Sequence, residues 1–172
     1  TGMILPLEST DETAASALAI ANTCSDLSSL RTALDAFNGC ALKKTATQLV
    51  FSDGSPDAEV MLVGEAPGGD EDRVGRPFVG PAGQLLDLML SAIGLDRTRV
   101  YITNIVPWRP PGNRNPSANE VAICLPFLHR HIELVNPRIL VLVGGVPASA
   151  LLGVKQGITK MRGRWHIYRG NP

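Results

Sequence analysis

The sequence predicts an α/β domain with three layers, α/β/α, around a central, mostly parallel sheet of about four strands. Three apolar runs carry this prediction, and each is too short for a free-standing helix: residues 60–63, 100–105 and 139–143. A segment with helical character follows each run, and such alternation is typical of a parallel sheet covered by helices on both faces. We expect residues 1–172 to form one domain, because a chain of 172 residues can bury a proper core.

The first part of the chain predicts helices. Residues 11–21 are rich in alanine, and Asp26 is a suitable cap for a second helix over residues 27–37. The apolar residues of this second segment recur at helical spacing, and Asn38-Gly39 is a sound C-terminal stop. We therefore expect a helical N-terminal segment at about residues 10–40.

The middle of the chain predicts a strand, a loop and a helix. A short strand is expected near residues 50–51, and residues 52–56 carry a turn signal. After the apolar run at 60–63, residues 64–80 predict an irregular loop. A helix over residues 81–93 begins at a proline, which is favoured at the first helical position. Its predicted apolar stripe comprises Leu85, Leu86, Met89, Leu90 and Ile93.

The last third of the chain continues the alternation. A capping-box pattern at residues 117–120 opens a helix that ends near residue 135. The apolar strand at 139–143 is followed by a short helix to residue 152. Residues 164–168 alternate in polarity and predict a further strand.

The composition indicates a globular protein that neither crosses a membrane nor is secreted. Apolar residues make up 44% and charged residues 19% of the chain. No apolar run approaches the roughly 20 residues of a membrane span, and residues 1–6 lack the features of a secretion signal. The cysteines, Cys24, Cys40 and Cys124, are unlike a disulfide framework. We expect a cytoplasmic, monomeric protein.

Charge is unevenly distributed although the net charge is zero. Residues 1–60 hold eight acids and three bases, a net of −5, whereas residues 138–172 hold six bases and no acid, a net of +6. The C-terminal part could therefore offer a basic surface to a polyanion such as DNA. The alternative is a basic segment that is merely solvated.

The loop at residues 64–80 is the candidate active site. Open α/β sheets bind their ligands just beyond the carboxyl ends of strands, and this loop follows the strand at 60–63. It is longer than most strand-to-helix connections, and ordered loops of that length are usually functional. The alternative is an ordinary connection punctuated by glycine and proline.

Four groups of residues, taken together and in order, resemble the motifs of the family 4 uracil-DNA glycosylases. They are Gly64-Glu65-Ala66-Pro67-Gly68, then Gly75–Gly80 with Ala82-Gly83, then Tyr101–Asn104, then Arg109-Pro110-Pro111 with Asn113-Arg114. The resemblance runs from about Phe37 to Tyr168 and includes residues 158–163. It implies the uracil-DNA glycosylase-like fold and a base excision repair enzyme. Such an enzyme flips uracil out of DNA, hydrolyses the N-glycosidic bond, and leaves an abasic site and free uracil.

The resemblance also implies roles for residues of the loop and of the next strand end. Phe78 matches the aromatic ring that stacks on uracil, although it could be a core residue. Asn104 matches the residue that reads the uracil edge, because one amide can donate to a carbonyl and accept from N3–H. Its alternative role is that of a turn former. Glu71 matches the acidic residue near uracil C5 that excludes the methyl group of thymine; alternatively it is one of three solvated acids.

The turn at residues 65–68 departs from the related family 1 enzymes, in which an aspartate orients the attacking water. Ala66 takes the place of that aspartate, so we expect Ala66 and its neighbours Pro67 and Gly68 to contribute the backbone of a substrate-binding turn. The hypothesis is a dissociative mechanism that stabilises the leaving uracil anion. Glu65 then orients water or stabilises the sugar cation, unless it only braces the turn.

The cysteines differ from those of many family 4 enzymes, which hold a [4Fe–4S] cluster through four cysteines. Cys40 and Cys124 match two of those ligand positions, whereas Phe37 and Trp108 occupy the other two. We predict that the four residues form a small apolar cluster and that the protein binds no metal and no iron–sulfur cofactor.

A second departure is the His-Pro-x-x-Leu-Leu motif of the family, which these residues do not contain. We favour a sequence that ends before that motif over a loss of activity. For contacts with DNA phosphates the candidates are Lys160, Arg162 and Arg164. Two alternatives stay open: a non-catalytic protein that binds uracil-containing DNA, and a nucleotide-binding domain. The latter lacks the Lys-Ser/Thr of a phosphate-binding loop.

Overall fold

The computed structural model describes residues 9–169, and residues 1–8 and 170–172 of the expected domain lie outside that range. The helices are α1 (Thr10–Thr23), α2 (Leu27–Ala36), α3 (Gly69–Val74), α4 (Pro81–Ala92), α5 (Ala118–Val135), α6 (Gly145–Leu152) and α7 (Ile158–Met161). The strands are β1 (Asp53–Gly54), β2 (Val60–Gly64), β3 (Val100–Asn104) and β4 (Ile139–Leu142). Single 3-10 turns lie at Ala41–Lys44 and Pro111–Asn113. Within residues 9–169 no helix is long and apolar enough to cross a bilayer.

The four strands form one sheet in the order β1-β3-β2-β4. Strand β2 runs parallel to both β3 and β4, and only the two-residue β1 is antiparallel, against β3. This confirms the prediction of a mostly parallel sheet of about four strands. In the β2–β3 register Val60 lies opposite Val100 and Gly64 lies opposite Asn104, so the two strands end side by side.

Helices cover both faces of the sheet, which confirms the three layers. Met61 and Val63 of β2 belong to a buried cluster that also contains residues of α1, α2 and α5. Leu62, between them, packs instead with Leu86 and Leu90 of α4. Successive strand residues point to opposite faces, so a fully apolar β2 is required to bury both.

The predicted N-terminal helices and the long helix α5 are confirmed, as are the predicted caps of α2 and α5; the cap of α1 is not predicted. Ser9 and Asp26 cap α1 and α2, and each accepts a hydrogen bond from the backbone three residues later. Ser117 caps α5 in a capping box with Glu120. Asn136, in the left-handed conformation, ends α5.

Two of the expected strands are wrong. Residues 50–51 are buried but form no strand, and the pairing occurs instead at Asp53–Gly54, within the predicted turn. Gly54 has φ +98° and packs against the backbone of Val100, which a side chain would prevent. Residues 164–168 form no strand; only Tyr168 makes an isolated bridge. In a strand, Trp165 and Ile167 would lie on one face and their neighbours on the other. Trp165 and Ile167 are both largely exposed.

Two further expectations concern the region around α4. The predicted loop at 64–80 contains the short helix α3, because the acidic run that looked like loop sequence provides good first-turn residues. The predicted apolar stripe of α4 is too wide. Leu86 and Leu90 are buried, whereas Leu85, Met89 and Ile93 are 59%, 60% and 70% exposed.

A buried histidine joins α5 to β3 and makes the stability of the fold depend on pH. The Nε2 atom of His131 lies 2.7 Å from the Tyr101 hydroxyl, and its ring stacks on Phe51 with 4.5 Å between centroids. Burial lowers the pKa of His131 from 6.5 to about 3. Between these values the unfolded chain binds a proton that the folded protein does not, so folding stability falls as the pH decreases.

We expect the free energy of unfolding to fall as the pH is lowered from 6.5 towards 3, with His131 contributing up to ~1.4 kcal/mol per pH unit. The variant His131→Gln should be less stable at pH 7 but should decline less steeply below pH 6.5. Urea unfolding at a series of pH values measures both slopes. The control His166→Gln, at an exposed position, should keep the wild-type slope; equal slopes for all three proteins would contradict the prediction.

Candidate functional site

The carboxyl ends of β2 and β3 form the base of the candidate site. Gly64 and Asn104 pair as the last residues of the two strands, and the chains continue side by side beyond them. The Ile105 N–H donates to the Gly64 carbonyl at 2.8 Å, and the Val106 N–H donates to the Glu65 carbonyl at 3.1 Å. The turn after β2 is therefore fixed beside Asn104 by backbone hydrogen bonds.

Phe78 and Asn104, 26 positions apart in the sequence, meet above Gly64. A Cβ atom on Gly64 would lie 2.5 Å from Asn104 Oδ1 and 2.5 Å from Phe78 Cζ. The ring and the amide oxygen are thus separated by no more than twice that distance. Asn104 is 5% exposed, and its amide has no hydrogen-bond partner among residues 9–169. The predicted pair of stacking ring and reading amide is therefore brought together.

The backbone of Phe78 is held in an uncommon conformation. Its φ is +55°, in the left-handed region that non-glycine residues seldom adopt and that costs of order 1–2 kcal/mol. Arg97 donates to the carbonyl of Pro77 at 2.9 Å and also to that of Phe78. A Cβ on Gly83 would lie 1.7 Å from the Phe78 carbonyl oxygen, so α4 can approach only through a glycine. No sequence pattern connects Arg97 with the loop, so its part in the site is not predictable from the sequence.

Glu71 joins the turn after β2 to the segment that carries Phe78. Its Oε2 accepts from the Gly68 N–H at 3.0 Å, and its Oε1 accepts from the N–H groups of Val79 and Gly80 at 2.9 and 2.8 Å. Glu71 is half-buried rather than solvated. Its carboxylate is fixed beside the aromatic segment, and its steric role against thymine stays a prediction.

The other two acids of α3 have different environments. Asp72 is 3% exposed, and it accepts from the backbone and hydroxyl of Thr47 at 2.8 Å. Asp70 is exposed and pairs only with Arg73 at 3.4 Å within the described part of the chain. The acidic trio is thus one solvated carboxylate and two that anchor α3.

Glu65 and Ala66 lie in the turn that follows β2. Burial raises the pKa of Glu65 above its usual 4.5, and within residues 9–169 its carboxylate has no hydrogen-bond partner. The Ala66 N–H likewise has no partner there, whereas the Gly68 N–H already donates to Glu71. Pro67 is buried beneath the turn. A partly buried carboxylate and an available backbone donor therefore lie next to each other.

The predicted phosphate-binding residues lie at another part of the molecule. Lys160 lies in the last turn of α7, and Arg162 and Arg164 follow the helix; all three are exposed. The two arginines line a groove of about 550 Å³ along β4. None of the residues that line this groove belongs to the turn after β2 or to the Phe78 segment. The structure does not place the three bases against the base-recognition residues.

Cys40 and Cys124 lie together in the core, with their sulfur atoms 3.9 Å apart. Phe37 and Trp108 are buried in the same apolar cluster, which is the large main core and not the separate small cluster that the sequence predicts. The hydrogen bond to Cys40 and the burial of Cys124 both raise the pKa of the Cys124 thiol. A [4Fe–4S] cluster needs four thiolates, so two thiols beside two aromatic rings do not fit it. In residues 9–169 no three His, Cys, Asp or Glu side chains are grouped as metal ligands would be.

The comparisons with known proteins identify similar chains. The model of the Uracil DNA glycosylase superfamily matches residues 51–170. The Type-4 uracil-DNA glycosylase of Sulfurisphaera tokodaii is 44% identical over 136 residues, covering 76% of this chain and 61% of the relative. That of Pyrobaculum aerophilum is 45% identical over 127 residues, covering 74% of this chain and 65% of the relative. That of Archaeoglobus fulgidus is 47% identical over 115 residues, covering 67% of this chain and 58% of the relative. The chain thus spans 58–65% of the length of these relatives.

We expect the variant Glu71→Ala to lower the free energy of unfolding by about 2–3 kcal/mol, because it removes the charged acceptor of three backbone N–H groups. The matched control Asp70→Ala removes a neighbouring carboxylate on the same helix and should change it by less than ~0.5 kcal/mol. Urea unfolding of both variants measures the difference. Equal stabilities would show that Glu71 does not hold the loop.

Proposed function

This chain belongs to the Uracil DNA glycosylase superfamily, and we propose that it is a family 4-type uracil-DNA glycosylase that acts in base excision repair. It flips uracil out of DNA and hydrolyses the bond between uracil N1 and the sugar C1′, releasing free uracil and leaving an abasic site. The observation that carries the proposal is the meeting of Phe78 and Asn104 above Gly64. The names of the similar proteins, Type-4 uracil-DNA glycosylases, support it.

Recognition of the base follows from the chemistry of these two side chains. An extruded base needs a flat apolar surface and hydrogen bonds to its edge, and Phe78 and Asn104 supply one each. The Asn104 amide donates to a uracil carbonyl and accepts from N3–H. Cytosine has an acceptor at N3 and a donor at C4, so it would leave the amide with mismatched pairs. A site built from such polar contacts discriminates strongly, because a mismatched polar group is left unpaired.

Discrimination against thymine is assigned to Glu71. Its carboxylate is immobilised by the N–H groups of Val79 and Gly80, directly after the stacking ring. A fixed side chain next to the edge of the base can reject the 5-methyl group of thymine by contact. A mobile surface acid could move aside, so the three hydrogen bonds of Glu71 support this role.

Cleavage is proposed to be dissociative, since no aspartate occupies the position of Ala66. The bond to uracil breaks towards a uracil anion, and the Ala66 N–H stabilises the developing charge on a uracil oxygen. Glu65, as a carboxylate, orients the water that adds to C1′ or stabilises the positive sugar. Its partial desolvation strengthens its interaction with a nearby positive charge.

The proposal also covers the contacts with DNA, the cofactor and the oligomeric state. Lys160, Arg162 and Arg164 contact DNA phosphates, which their exposure permits. The activity uses no iron–sulfur cluster, because among residues 9–169 the thiols of Cys40 and Cys124 form a pair, whereas a [4Fe–4S] cluster needs four cysteine ligands. The protein acts as a monomer in the cytoplasm. The non-catalytic alternative is a protein that binds uracil-containing DNA without excising the base.

We expect purified protein to release uracil from U·G and U·A duplexes, but not to act on T·G, and to contain far less than one [4Fe–4S] cluster per chain. Alkali converts each abasic site into a strand break, so scission separates a glycosylase from a protein that only binds. Asn104→Ala should lose at least about 100-fold in single-turnover rate, because the base edge loses its partner. The control Asn119→Ala, an exposed residue of α5, should keep the wild-type rate. Binding of uracil-containing DNA without strand scission after alkali would refute the proposed glycosylase activity.

We expect the excision rate to rise with pH through the pKa of Glu65, which lies above 4.5. The rate rises with pH because the carboxylate of Glu65 is the active form, and protonation at low pH removes activity. Glu65→Gln should lower the single-turnover rate by about 100-fold and abolish this acid limb. Single-turnover rates of both proteins, measured from pH 4 to 8, test this prediction. A wild-type rate for Glu65→Gln would show that Glu65 only braces the turn.

A further inference from the structure

Arg97 is the most extensively bonded side chain next to the candidate site. It lies in the connection between α4 and β3, and its side chain is 18% exposed. Its Nε donates to Asp87 at 2.7 Å, and its Nη1 donates to Asp53 at 2.9 Å. The guanidinium also donates to the carbonyls of Pro77 and Phe78, two consecutive backbone groups of the site loop. It therefore links β1 and α4 to the residue that carries the stacking ring.

The conformation of Phe78 requires such a partner. Its positive φ of +55° turns the ring towards Gly64 and the carbonyl towards Arg97 and Gly83. A left-handed conformation at an aromatic residue persists only when its surroundings hold it there. Glu71 holds the N–H groups of the two residues that follow Phe78, and Arg97 holds the carbonyl of Phe78 and that of the preceding Pro77, so the segment is fixed from both sides.

We propose that Arg97 is a positioning residue for base recognition: it maintains the left-handed conformation of Phe78 and thereby keeps the stacking ring beside Asn104. The inference rests on the proposed function and extends it to a residue that does not touch the base. Asp53 and Asp87 orient the guanidinium, and Arg76, which shares Asp53 at 2.9 Å, completes the network.

The planar fork of arginine suits this role and lysine does not replace it. Arg97 uses Nε, Nη1 and Nη2 towards two carboxylates and two carbonyls at once. A lysine ammonium retains the charge but presents its donors from a single atom on a flexible stem. Arg97→Lys therefore separates the geometry of the contact from its charge.

A purely stabilising role would give a different result from a positioning role, and a double-mutant cycle separates them. We expect Arg97→Gln to reduce single-turnover uracil excision by about 10- to 100-fold, because small displacements of positioning groups have effects of that size. In the Phe78→Ala background the same substitution should change the rate by less than about two-fold, since there is no ring left to position. Multiplicative losses in the double variant would overturn the proposal.

The matched control is Arg130→Gln. Arg130 is similarly shielded, at 28% exposure, and it likewise bonds a backbone carbonyl, that of Cys24, and a carboxylate, that of Glu133. It lies on α5, away from the loop. It should keep the wild-type excision rate; a loss equal to that of Arg97→Gln would show that removing any shielded arginine has this effect and would overturn the proposal.

A readout independent of activity distinguishes failure of the inference from failure of the proposed function. The chain has four phenylalanines, so NMR with ¹³C-labelled phenylalanine resolves the Phe78 ring. Nuclear Overhauser contacts between this ring and the Gly64 α-protons should be present in wild type and Arg130→Gln, weakened in Arg97→Lys, and lost in Arg97→Gln. Unchanged contacts in a folded Arg97→Lys or Arg97→Gln overturn the inference. Absence of uracil release by wild type overturns the proposed function, and the ring contacts alone then decide the role of Arg97.

Discussion

The parallel pairing of β2 with β3 is the constraint on which the candidate site depends. Its register places Gly64 opposite Asn104, and the hydrogen bond from Ile105 to the Gly64 carbonyl continues it past the strand ends. A shift by one residue would turn Asn104 to the other face of the sheet. Because both strands are buried on both faces, apolar packing specifies that register, and the position of the polar Asn104 amide is determined by the core.

The site loop shows how a strained conformation is maintained without rigid secondary structure. Phe78 has a positive φ, and the groups around it are fixed by charged side chains: Glu71 on the N–H side and Arg97 on the carbonyl side. Gly64 and Gly83 leave the space that the ring and its carbonyl occupy. Charged hydrogen bonds in partly shielded surroundings are strong enough to offset such strain.

Local sequence patterns predicted those parts of the fold that depend on neighbouring residues. Spacing within short segments predicts the capped helices at Ser117 and Asp26 and the three apolar strands. It also predicts the alternation that implies a covered parallel sheet. The errors have a common cause. Residues 50–51 and 164–168 have strand-like composition, but a strand requires a partner with a free edge in register, and that is not encoded locally.

The sequence by itself determined the fold class, the position of the site after β2, and the identity of Phe78, Asn104, Glu65 and Glu71 as its candidate residues. Only the tertiary structure showed that Phe78 and Asn104 meet above Gly64, that Glu71 is committed to three backbone groups, and that Arg97 takes part. The physical reason is that periodicity and capping act over a few residues. Contacts between distant residues depend instead on strand register and on the course of the loop, which the packed core selects.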